Sequence, residues 1–124
     1  MHKSRLAALV IDSQVEEKSS AIDFWAGALG WSGHEVDEKY GKLATPSDQP
    51  DVLIQQVDHP SRVHLDIESD DIEAEVVRLE KLGATVVERL ERWTVMEAPT
   101  GHRFCVVPPQ RADFGTADNV NVWP

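Results

Sequence analysis

A chain of 124 residues is the size of one domain and can bury a core without disulfide staples. Its 12 Lys and Arg against 22 Asp and Glu give a formal charge of −10, which speaks against nucleic acid or an anionic membrane surface as partner, because phosphate neutralisation needs clustered cations. A lone cysteine, Cys105, excludes an internal disulfide and fits a reducing compartment. No apolar run approaches the roughly 18–20 residues of a membrane span. The apolar stretch after the basic start Met1–Arg5 stops at Asp12, too short for a secretory leader, so the expectation is a cytoplasmic domain.

Leu6–Ile11 is continuously apolar and short, the mark of a buried strand, with Asp12, Ser13 and Gln14 expected to break it. A helix is expected from about Glu17 to Leu29, where Ile22, Trp25, Ala26 and Leu29 form one stripe at helical spacing. Gly30 suits the left-handed position after the helix. Three short strands follow, at about Ser32–Val36, Lys42–Thr45 and Val52–Val57, separated by turn-forming residues.

Arg62–Glu68 alternates strictly: Arg62, His64, Asp66 and Glu68 against Val63, Leu65 and Ile67. Such alternation predicts a strand with two different faces. Ser69-Asp70-Asp71 opens a second helix, with Asp70 as its cap and Glu73 completing an acidic capping box. Its buried stripe is Ile72, Val76, Leu79 and Leu82, and Gly83 ends it. Strands are expected at about Thr85–Leu90, Trp93–Met96 and Arg103–Val107, with a Pro99–His102 turn between the last two. The tail 109–124 has no periodicity and reads as irregular.

The halves repeat. Each reads strand, helix, Leu-Gly, then three strands, and Ala7, Leu9 and Ile11 fall on Val63, Leu65 and Ile67 at an offset of 56. A period this long with only two members is no solenoid. It suits two βαβββ units, at about 5–58 and 61–108, in a single domain spanning 1–124.

In their order and spacing, the segments Ile22-Asp23-Phe24-Trp25, Ala28-Leu29-Gly30-Trp31, Arg62-Val63-His64-Leu65-Asp66-Ile67, Trp93-Thr94-Val95-Met96 and Pro99–Val107 resemble the vicinal oxygen chelate superfamily, the glyoxalase and bleomycin-resistance fold, and its bacterial glyoxalase-like group. The resemblance implies an α+β fold. Its two βαβββ units would form a curved mixed-sheet half-barrel cup with helices on the outer faces. It also implies a homodimer and a small-molecule ligand in the cup.

Strand periodicity assigns faces. If Val63, Leu65 and Ile67 pack on the helices, then Arg62, His64, Asp66 and Glu68 face the cup, as do Leu6, Ala8, Val10 and Asp12 at the matching positions of the first strand. In the last strand Phe104 and Val106 meet the helices and Cys105 faces inward. Gln55, polar in an apolar strand, and Trp93 are further candidates to line the cup.

The resemblance implies, for metal-dependent members, a His or Gln in the first strand, a His in the fifth and a Glu in the last, holding a divalent Lewis acid. Here His64 matches, but Ala8 and Cys105 stand at the other two positions. The expectation is therefore no complete metal site and no cofactor, with a divalent metal as the alternative. His64 has three readings: a hydrogen-bonded structural histidine, a group contacting ligand, or a metal ligand. Cys105 reads as a small buried hydrophobe or as a thiol facing ligand. The functional candidates are a metal-free binder using Gln55, His64, Trp93 and Cys105, a metal-dependent lyase, isomerase or dioxygenase, and a metal-free enzyme with His64, steered by Asp66 or Arg62, as general acid or base.

Overall fold

The structure, a computed structural model, describes residues 1–124. The chain folds into two compact units, Ala8–His64 and Met1–Ala7 with Leu65–Pro124. The elements in chain order are β1 (His2–Ser13), α1 (Lys18–Leu29), β2 (Gly33–Glu35), β3 (Tyr40–Leu43), β4 (Asp51–Gln56), β5 (Arg62–Ser69), α2 (Ile72–Lys81), β6 (Thr85–Arg89), β7 (Thr94–Glu97), β8 (Arg103–Val107) and β9 (Asn121–Trp123). The unit boundaries fall inside β1 and β5, so each unit draws on part of both strands.

In the unit Ala8–His64, the later half of β1 runs parallel to β4, with Ala8 opposite Asp51 and Ser13 opposite Gln56. β4 pairs antiparallel with β3, and β3 with β2. The helix α1 lays Ala21 and Ile22 on Leu43, Val52 and Ile54, while Trp25, Ala26 and Trp31 pack around them. Gly41 makes this approach possible, since a Cβ there would collide with the Ile22 side chain.

In the other unit, β5 from Leu65 runs parallel to β8, and β8, β7 and β6 pair antiparallel. The helix α2 buries Val76 and Leu79 against Ala84, Met96, Phe104 and Val106. Each unit thus repeats strand, helix and three strands, and each mixes parallel with antiparallel pairing, which places the fold in the α+β class. Gly30 (φ +78°) and Gly83 (φ +105°) end the two helical segments in the left-handed region, as expected.

Several local expectations are corrected. Asp12 and Ser13 do not break β1 but extend it, because β4 continues alongside through Gln55 and Gln56. The cap of α2 is Asp71, whose side chain accepts the Ala74 N–H, whereas Asp70 accepts the Lys3 N–H at 2.8 Å. Val63 (55 % exposed) and Leu65 (43 %) do not pack under helices. The helices reach only part of the strand: Ile67 packs on the α2 cluster with Val76 and Leu79, whereas α1 packs chiefly over β2, β3 and β4 and α2 over β6 and β8. Leu29 and Leu82, at the helix ends, are exposed for the same want of a neighbour. Glu68 is fully buried within its own unit, in an ion pair with Arg5. The tail is not irregular throughout: β9 pairs antiparallel with the start of β1, His2 opposite Trp123 and Ser4 opposite Asn121.

Candidate functional site

In the unit Ala8–His64, the ends of β1 and β5 bring Asp12, Arg62 and His64 together. His64 Nδ1 lies 2.8 Å from Asp12 Oδ2, and Arg62 Nε lies 3.7 Å from the same oxygen. Asp12 is 2 % exposed, and its Oδ1 is buried with no hydrogen-bond partner. An ionised carboxylate only accepts, so Nδ1 carries the proton and the ring is fixed in one tautomer and orientation. Arg62, half exposed, adds a cation on the open side of the pair. Next to these groups runs a groove of about 440 Å³, whose walls include Asp12, Val15, Phe24, Trp25, Arg62 and Val63. Phe24 and Trp25 meet edge to face at 4.9 Å, giving the groove an aromatic wall.

Of the other residues singled out by sequence, Gln55 is the register partner of Asp12 on β4, and lines a second depression with Gln14, Lys39 and His59. Trp93 belongs to the other unit, partly exposed just before β7, where its carbonyl accepts the Leu90 N–H and closes the β6–β7 hairpin. Cys105 is half-buried on β8, opposite Asp66. Ala8 is buried and offers no donor. The alternation of β1 put Asp12 on the face of Ala8 and Val10, but nothing local showed that its partner would be His64.

The unit with Leu65–Pro124 holds a contrasting polar cluster. Arg5 Nε donates to Glu68 Oε2 at 2.7 Å, and Glu68 Oε1 accepts the N–H groups of Gln110 (2.6 Å) and Arg111 (3.0 Å). The remaining Arg5 nitrogens donate to Asn119 Oδ1 and Asp113 Oδ1, and the guanidinium lies 5.8 Å from the centre of the buried Phe114 ring. The tail thereby closes over the ion pair. Nearby, Glu75 bonds His2 at 2.7 Å and is gripped by both ends of the Arg78 guanidinium, which stacks on Trp123 at 3.8 Å. Burial pushes the Glu75 carboxyl up, but hydrogen bonds from Arg78, His2 and Ser4 outweigh it and hold the group below the ordinary carboxylate range. Arg5 likewise holds Asp113 low.

Comparison with known proteins adds three findings. Residues 8–107 match the family model described as a glyoxalase-like domain. No curated protein sequence matches the chain. Solved structures share the fold: hypothetical protein BH1468 from Bacillus halodurans C-125 (TM-score 0.66, 11 % identity, 86 % of this chain and 95 % of that one); methylmalonyl-CoA epimerase from Streptomyces coelicolor (0.59, 17 %, 84 % and 96 %); and the 2,3-dioxygenase LapB from Pseudomonas sp. KL28 (0.59, 17 %, 97 % of this chain but 46 % of that one). At these identities the likeness establishes the fold alone.

Proposed function

The chain belongs to the glyoxalase-like domain family of the vicinal oxygen chelate superfamily, and from that premise we propose that it binds a small organic molecule at the Asp12–His64 pair without a resident catalytic metal. The observation that carries the reading is the 2.8 Å hydrogen bond from His64 to a buried carboxylate. Such a bond sets the ring's tautomer and aim, which a group that must meet a ligand atom needs and a solvated surface histidine does not. The same pair can act as a general acid or base on a bound substrate, with Asp12 holding the ring while His64 moves the proton.

The donor set argues against the family's hard-ion chemistry. The first strand offers the methyl of Ala8 and the last a thiol at Cys105. Thiolate favours softer ions than those served by carboxylate and water. One observation supports a second reading, with a softer divalent ion: Asp66 and Cys105 face each other across β5 and β8. The acidic charge and the single thiol accord with a cytoplasmic protein that has no nucleic-acid or membrane partner.

A thermal-shift and ligand-detected NMR screen of small acids, aldehydes and heterocycles tests the binder. His64→Ala should weaken the best ligand by roughly 1–3 kcal/mol with the fold intact. Unchanged affinity in that variant would refute the site. One tightly held divalent ion per chain, lost in His64→Ala, would establish the metal reading instead.

A further inference from the structure

His64, Asp66 and Cys105 make a cluster that neither the aromatic groove nor the buried ion pairs of the tail use. His64 and Asp66 are two residues apart on β5 and so stand on one face of that strand, and Cys105 is the register partner of Asp66 on β8. One donor atom from each residue lies within 4.8 Å of the other two: an imidazole nitrogen, a carboxylate oxygen and the Cys105 sulfur. All three residues are half-buried. Ligand lengths of about 2.0–2.3 Å put the donors around a tetrahedral ion roughly 3.3–3.8 Å apart. Drawing the cluster in to that spacing takes no more than about 1.5 Å per pair, within reach of small side-chain rotations.

A second observation is how His64 is held. Its Nδ1 lies 2.8 Å from the buried Asp12 carboxylate, so Nε2 is the nitrogen left to offer an ion. A carboxylate on the far nitrogen is the usual support of a metal-ligating histidine: it fixes the tautomer and the aim of the ring and makes the ligating nitrogen more basic. The local charge also suits a cation. Asp12, Asp66 and a Cys105 thiolate stand against the guanidinium of Arg62, 3.7 Å from Asp12.

Resting on the softer-ion reading above, we propose that His64 Nε2, a carboxylate oxygen of Asp66 and Cys105 Sγ form an exchangeable site for a borderline-soft divalent cation, zinc in type. The donor set differs from that of a hard-ion site. A thiolate stands on the last strand, and Asp66, two residues along β5, supplies the donor that Ala8 does not. Three protein donors leave a fourth position open to water or to a donor atom of a small molecule, whereas a closed structural site uses four. The two apolar clusters that hold the fold contain none of these residues. The ion is therefore taken up from solution and given up to a chelator with the fold intact, which distinguishes it from a resident catalytic metal.

The test uses the full chain, first treated with chelator, and Zn²⁺, Co²⁺ or Mg²⁺ alone as probe. One Co²⁺ per chain is expected, with the intense visible absorption of a four-coordinate ion and a near-ultraviolet thiolate-to-cobalt band. Zn²⁺ should abolish both signals and Mg²⁺ neither. In the same unsubstituted protein Zn²⁺, but not Mg²⁺, should slow alkylation of Cys105 by iodoacetamide, because a ligated thiolate is no longer a free nucleophile. Asp66→Asn and Cys105→Ser, each checked for fold by circular dichroism, should weaken Zn²⁺ binding by about tenfold or more, since losing even the hydrogen-bond partner of a ligand costs about 10–100-fold. A six-coordinate cobalt spectrum without the thiolate band, or Mg²⁺ bound as tightly as Zn²⁺, would overturn the inference. So would Zn²⁺ affinity indifferent to both substitutions, and the softer-ion reading would then stand on other donors. If neither Zn²⁺ nor Co²⁺ binds by about 1 mM, that reading and this inference fall together.

Discussion

Replacing Glu68 with glutamine tests whether the tail is held by the buried ion pair or merely lies over it. The carboxylate is fully buried and accepts three bonds, at 2.7 Å from Arg5 and at 2.6 and 3.0 Å from the N–H groups of Gln110 and Arg111. Removing one member of such a pair leaves the other charge stranded and typically costs about 3–5 kcal/mol. Two facts pull the expected cost toward the lower end. The glutamine carbonyl can still accept one or both backbone N–H groups, and Arg5 keeps Asp113 and Asn119. A loss of about 3 kcal/mol is therefore expected, which for a domain of this size lowers Tm by roughly 10–15 °C. Urea unfolding followed by circular dichroism reads it as a lower midpoint at constant slope. Trypsin should also cut at Arg111 faster, since that segment loses its anchor. The double replacement Arg5→Met, Glu68→Leu should recover part of the loss, because no buried charge remains unpaired. A Glu68→Gln protein within about 1 kcal/mol of the parent, or a double variant less stable than the single one by the same margin, would refute the reasoning.

The low-lying Glu75 carboxyl makes stability fall in acid. A group depressed in the folded state contributes stability above its unfolded value of about 4.5, and that contribution is lost as pH drops through the folded value. Tm should therefore fall more steeply below about pH 4.5 in the parent than in Glu75→Gln, and parallel curves would contradict the assignment. Gly83→Val should cost about 2 kcal/mol or more, because φ is +105° and the new Cβ would lie 2.9 Å from Pro99, while Gly27→Ala, which meets open space in the last turn of α1, should be neutral or stabilising. Equal melting of the two variants would argue against strain at Gly83. Leu6 and Leu65 are exposed apolar side chains on β1 and β5, and we expect a homodimer to shield them. Light scattering should give twice the chain mass, and a species of 13.8 kDa at micromolar concentration would remove the proposal.

The two βαβββ repeats were legible because their signals are local. Helical spacing of Ile22, Trp25 and Ala26, alternation along Arg62–Glu68 and a glycine after each helix act over a few residues and need no distant partner. Tertiary structure decided where those elements went. β1 runs on through Asp12 and Ser13 because β4, some forty residues on, offers a hydrogen-bonding edge there, and β9 exists because the start of β1 offers another. His64 was singled out from sequence with Asp66 or Arg62 as the group steering it, and the partner proved to be Asp12, more than fifty residues away. The repeat aligned Asp12 with Glu68, yet only the folded chain shows one carboxylate bonded by its own tail and the other by His64, with its second oxygen buried and unpartnered. Periodicity says which face a side chain occupies. What lies opposite that face depends on strand pairing across the whole chain, and burial then fixes whether an aspartate is a turn residue or half of a site.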